Sequence, residues 1–255
     1  MEIYVLQLVV FLLLFARIAS MIVVAPFVGD QAVPPQVKVA LSIFLAFVLY
    51  PLAHAQAPSI DLRLAALALL AVKEIAAGVL IGFAAGIIFF GVRFGGDLIG
   101  FDLGFSLATA FDPQAGQNST VMARFFSLCM MMVFLLVNGH HFVFEALQLS
   151  YAAIPIGTIA LTGPAVAGMT QLTGTLFIVG MKLAAPVIVA SFLVNLAMAV
   201  LARVSPQMNV FFVSLPLKVG VGLLVLMASG PMVVYVFKKL LSGFEENVVE
   251  LVRML

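Results

Sequence analysis

Charge is what this sequence has least of. Lys and Arg number 12 and Asp and Glu 11 in 255 residues, 9% together, for a net charge of +1; soluble domains carry about 25%. The charges are scattered, so there is no basic stripe for nucleic acid and no polybasic tail for anionic lipid. Cysteine is nearly absent. Cys129 stands alone in an apolar run and reads as an inert core thiol, not as a redox or metal group. The motifs of intramembrane and nucleotide chemistry are missing too. No H-E-x-x-H pair exists to hold zinc, and no P-loop lysine motif exists, so ATP is not hydrolysed here. GFSLA around Ser106 lacks the glycine that a nucleophile elbow needs after its serine. His140 and His141 are adjacent, so on a helix they point about 100° apart. Glu145 adds only one more ligand, and the pair reads as structural at a helix cap. No catalytic residue, metal site or cofactor site is expected.

What is abundant is apolar residues: 64% of the chain, with a mean hydropathy of +1.26. That composition is an integral membrane protein. Six runs approach or exceed the roughly 20 residues of a spanning helix: Ile3 to Val24, Val37 to Ala53, Leu64 to Phe90, Val121 to Val137, Leu172 to Leu201 and Val210 to Phe237. None alternates as a membrane β-strand does, and Leu, Ala and Met favour helix. The expected fold is all-α and polytopic, about six hydrophobic helices in hairpins. Pro26, Pro34 and Pro35 bracket the first connection, and Pro51 and Pro58 the second. The first run opens on Glu2, holds Arg17 and lacks a cleavage site, so it reads as retained and not as a signal peptide. Lys and Arg divide evenly between the two sides of a six-span arrangement. That balance leaves open that some runs sit in protein and not in lipid.

Glu74, Gly78, Gly82 and Gly86 recur every four residues on one face of the third run, a seam that admits another backbone. Glu74 is expected to pair with a cation such as Lys73 or Arg17, or to sit at an interface. Between the third and fourth runs lies GGDLIGFDLGFSLATAFDPQAGQNST, Gly95 to Thr120, with three carboxylates, five glycines and a proline. Irregular polar backbone at membrane depth has to be buried in protein or line a water path, so this gap is the first candidate site. Phe101, Phe105, Leu107 and Phe111 alternate there with small residues, which suits either a hydrophobic constriction on flexible hinges or a loop packed under other helices. Asp112 before Pro113 reads as a helix cap. Glu74, Asp97, Asp102, Asp112, Glu145 and Lys182 also admit a proton relay, and with it a stand-alone proton-coupled transporter. Against that, three of the acids fall in the gap and not on symmetric broken helices. Lys182 and Pro186 lie one turn apart in the fifth run, which points to a bent helix facing protein. Leu240 to Leu255 reads as an amphipathic tail.

Five strings in order, APFVGDQAVPPQVKVAL, KEIAAGVLIGF, GFDLGFSLATAFDPQ, NGHHFVFEAL and RVSPQMNVFFVSLPLKVGVGLLVL, resemble the FliR family of flagellar export proteins and its virulence relatives SpaR and YscT. The resemblance runs over nearly the whole chain. It implies an inner-membrane subunit of the type III export gate in the flagellar basal body, assembled helically with FliP-like and FliQ-like chains, and with a FlhB-like switch protein beside it. It implies a FliP-like part over 1–160 and a FliQ-like part over 161–255. It also implies that Gly104 to Asn118 plugs a pore for unfolded flagellar proteins, with Phe105, Leu107 and Phe111 as plugging groups, Gly100 and Gly104 as hinges, and Asp112 and Pro113 as a cap. NGHH and SPQMNVF favour the flagellar branch over the virulence branch. Membrane lipid is the only other partner implied.

Overall fold

The computed structural model describes residues 2–26, 28–29, 33–54, 62–106, 119–159 and 163–243. Among these, seven helices and no strand occur: α1 (Glu2–Val24), α2 (Pro35–His54), α3 (Leu64–Asp102), α4 (Val121–Leu136), α5 (Gly139–Ala153), α6 (Gly163–Val204) and α7 (Val210–Ser242). Four of them, α1, α3, α6 and α7, are long and apolar enough to cross a membrane. The pair α4 and α5 makes a fifth span if taken together, and α2 is shorter. The chain is thus an all-α polytopic membrane protein.

Local chemistry sets the boundaries. Proline fits the first helical position because its missing N–H has no intrahelical partner there, and Pro35 opens α2 in that way. Pro186 in α6, and Pro216 and Pro231 in α7, sit inside helices, as membrane helices tolerate. The fourth run breaks at Asn138, whose φ of 57° is the left-handed conformation that asparagine adopts more readily than most residues. From there α5 carries on through a partly polar stretch, past the helix cap at which the sequence placed His140 and His141.

The described chain forms two compact units. The first comprises Met1–Ile87, Leu135–Thr173 and Ser242–Leu255. Here α1 and α2 form the expected hairpin, and the core gathers Leu14, Ile18, Met21, Ala77, Ile81 and Tyr151. The second comprises Ile88–Phe134 and Gly174–Leu241. In it the later part of α3 packs on α4, with Phe89 and Phe134 edge to face at 5.2 Å. It packs on α6 as well, with Phe94 and Phe177 edge to face at 5.4 Å. A cavity of about 470 Å³ opens between α4 and α7, lined by Phe126, Leu226, Gly230, Phe237 and the half-buried Cys129.

One expectation is corrected. The gap was read as irregular from Gly95 onward, yet α3 continues as helix to Asp102. Gly95 and Gly96 do not break it, because in an apolar helix glycine serves close packing. A Cβ on Gly95 would lie 2.8 Å from the Gly180 carbonyl of α6, and one on Gly96 would overlap the Ala123 backbone of α4.

Candidate functional site

Two constellations of polar atoms stand out, one in each unit. In the first unit Arg17 and Glu74 are both completely buried. Arg17 Nε donates to Glu74 Oε2 at 2.6 Å and Nη2 donates to Oε1 at 3.1 Å, a two-point pairing of guanidinium with carboxylate. Its Nη1 donates to the carbonyls of Ser150, at 3.2 Å, and Ile154, at 3.0 Å. These lie where α5 ends, at the negative pole of the helix dipole, and a cation there is favourable. Glu74 Oε1 also accepts the N–H of Gly157 at 2.7 Å. The Tyr151 ring covers the guanidinium at 4.5 Å and its hydroxyl donates to the Leu14 carbonyl. A buried charge pair holds only when its remaining donors and acceptors are satisfied. Here the pair joins α1, α3 and the end of α5 around one network. Arg17, and not Lys73, is the cation opposite Glu74.

Below Glu74 the small-residue face of α3 meets α1. A Cβ on Gly78 would overlap the Arg17 carbonyl and the Ser20 hydroxyl, and one on Gly82 would stand 2.7 Å from the Met21 carbonyl. Gly86 is buried. The face is therefore occupied within the chain itself at Gly78 and Gly82.

In the second unit the structure describes both ends of the gap. Helix α3 ends at Asp102 and the chain turns at Gly104, whose φ of 86° is left-handed. The N–H of Phe105 reaches back to the Gly100 carbonyl at 2.9 Å and that of Gly104 to the Phe101 carbonyl at 3.2 Å. This double closure, a Schellman cap, is where glycine is favoured because a Cβ would be strained. At the other end Thr120 caps α4: its Oγ1 accepts the Ala123 N–H at 3.1 Å. The same residue ties α4 to α3. Its N–H donates to Asp97 Oδ1 at 2.9 Å, and its hydroxyl donates to the Gly96 carbonyl at 3.3 Å. Gly100 faces it so closely that a Cβ would overlap the Thr120 side chain. Thr120 is thus held against the last turns of α3, at Gly96, Asp97 and Gly100. Asp97, first weighed as a relay acid, is the clamp's acceptor.

Of the residues expected to plug a pore, Phe105 is half-buried beside the cap. Leu107, Phe111, Asp112 and Pro113 lie outside the described residues, as does the tail from Phe244 onward. Asp102 Oδ2 is buried and without a hydrogen-bond partner among the described residues. The His140 and His141 rings lie 4.3 Å apart just after the α4–α5 break, and His140 Nδ1 is likewise buried without a partner. Among the described residues no three His, Cys, Asp or Glu side chains gather as a metal site would require. The roles of Asp97 and Thr120 went unnoticed in the sequence. The available signal was a threonine three residues before Ala123 at the start of an apolar run.

The whole of this arrangement falls within one family match. Residues 8–244 fit the family described as bacterial export proteins, family 1. The chain is 32% identical over 212 residues to the flagellar biosynthetic protein FliR of Pectobacterium carotovorum subsp. carotovorum, covering 83% of this chain and 80% of that one. It is 31% identical over 219 residues to FliR of Escherichia coli strain K12, with 85% and 82% covered. It is 31% identical over 242 residues to FliR of Caulobacter vibrioides, with 93% and 96% covered. A match across both units and both constellations, with relatives aligned over most of their length, leaves one assignment: the chain belongs to the FliR family, bacterial export proteins, family 1.

Proposed function

We propose that this chain is a non-enzymatic subunit of the flagellar export gate in the bacterial inner membrane, contributing to the pore through which unfolded flagellar proteins leave the cytoplasm. The observation that carries the reading is the family match over residues 8–244 with FliR relatives. Physical support comes from the unequal burial of the helices. Helix α7 buries only 6% of its apolar window within the chain, against 61% for α3. A helix so apolar and so little covered has surface left for lipid or for other subunits. Partners on this reading are FliP-like and FliQ-like chains, a FlhB-like switch protein, membrane lipid and the exported proteins. On this reading residues 1–160 form its FliP-like part and 161–255 its FliQ-like part. In the closed gate Phe105, Leu107 and Phe111 fill the pore, with Gly100 and Gly104 as hinges and Asp112 and Pro113 as the cap. The clamp of Asp97 and Thr120 supports that reading, because a plug has to hang from a fixed stem.

The test is twofold. The tagged chain, expressed in a flagellated bacterium lacking its own FliR, should restore motility and bring FliP-like and FliQ-like chains out of solubilised membranes in fixed ratio. A chain that restores neither, while inserting normally, is not an export-gate subunit.

A further inference from the structure

The sequence placed Lys182 on a helix facing protein, but in this chain Lys182 is exposed. It has no ion-pair or hydrogen-bond partner among the described residues. It sits near the middle of the 42-residue α6, about 28 Å of helix from one end and about 33 Å from the other at 1.5 Å per residue. Around it Ile178, Ala185, Val189, Phe192 and Leu196 are exposed as well. With Lys182 they follow a spacing of four, three, four, three and four residues along the helix. They form one continuous face along the helix, of the kind on which a second helix can pack at a shallow crossing angle.

Two unmet demands occur at the centre of this seam. The ammonium of Lys182 needs a negative charge, since an unpaired cation on an apolar helix is costly at membrane depth. Pro186 has no N–H, so the Lys182 carbonyl also lacks the donor that an α-helix would supply. Phospholipid phosphates lie at the surfaces of a bilayer whose hydrocarbon core is about 30 Å thick, whereas Lys182 stands about 28 Å or more of helix from either end of α6. A protein side chain beside a carboxylate can supply both.

We propose that the exposed face of α6 from Ile178 to Leu196 is the docking seam for an apolar helix of another subunit, and that this helix carries a carboxylate at the level of Lys182. The proposal rests on the export-gate reading and names the chemistry of one partner in it. Lys182 sets which helix docks and in which register, because a mismatched partner would leave the ammonium buried and unpaired.

The test uses the full chain in native membranes. A photo-crosslinking residue at Val189 should give a protein adduct. Mass spectrometry of that adduct should identify an apolar helix with an Asp or Glu about two turns from the crosslink, at the level of Lys182. Lys182→Glu should lower recovery of the complex about tenfold or more, Lys182→Met about threefold, and Lys182→Arg by less than about twofold, with membrane insertion equal throughout. Replacing the identified carboxylate by Lys should restore recovery with Lys182→Glu. Adducts to lipid alone, a partner helix without a carboxylate, or full recovery with Lys182→Glu would each overturn the proposal. If the wild-type chain brings down no export-family protein the functional reading fails, whereas the adduct at Val189 still decides what covers α6.

Discussion

Arg17 is the residue on which the first unit turns. Its side chain meets a carboxylate, two helix-terminal carbonyls and an aromatic face while wholly withdrawn from solvent. Removing one member strands the other. Glu74→Ala should therefore destabilise the chain by about 3–5 kcal/mol, read as loss of folded protein in detergent and a lowered thermal midpoint. Replacing Arg17 and Glu74 together by Met and Leu should cost much less than the sum of the single changes. Additive losses would mean that the two charges do not depend on each other. The pairing was half legible in the sequence: two charges within apolar runs call for one another, but Lys73 was as available as Arg17. The carbonyls of Ser150 and Ile154 and the N–H of Gly157 carry no residue signature, since any sequence supplies them once the backbone arrives.

At the scale of the helix, α3 shows what glycine spacing encodes and what it conceals. Gly82 meets the Met21 carbonyl of α1, so Gly82→Leu should force the two helices apart at a cost of about 1–3 kcal/mol. Because this contact lies within the chain, the folded yield of the isolated subunit should fall, and not only the yield of the complex. An isolated chain of unchanged thermal stability would show that α1 and α3 are not tightly packed there. The six apolar runs were readable because their length exceeds what any loop needs. The extension of α3 past Phe90 was not, because glycine and aspartate signal breaks in soluble chains while the same glycines admit neighbouring helices here. Helix α5 was missed for the opposite reason, its polar residues masking a helical stretch. The stem of the gap offers a second test. Thr120→Ala removes the α4 cap and the bond to Gly96 while keeping the backbone bond to Asp97. It should cost about 0.5–2 kcal/mol, and Thr120→Ser should recover most of that. Equal stability of all three chains would show that the hydroxyl does not hold the stem.

For the molecule as a whole, the proposed function asks the chain to seal a pore without being fixed shut. The stem is fixed by bonds that involve no side chain of Phe105, Leu107 or Phe111: Asp97 to Thr120, Thr120 to Gly96, and the backbone cap at Gly104. Replacing Phe105, Leu107 and Phe111 together by Ala therefore removes apolar bulk while leaving the anchorage in place. If that bulk keeps water out of the closed pore, cells expressing the triple variant should show raised ion conductance and sensitivity to small toxic solutes, with the complex assembling at its normal yield. Deleting more of the segment between Gly104 and Thr120 should leak further. A segment that merely packs beneath other helices gives the opposite order, since losing buried aromatic and leucine side chains costs about 2–5 kcal/mol each and assembly would fail before any leak was measured. Conductance and complex yield, taken on the same membranes, separate the two. Ion-tight membranes with normal assembly in the triple variant would exclude these residues as the seal and turn the search toward other exposed apolar groups of the second unit.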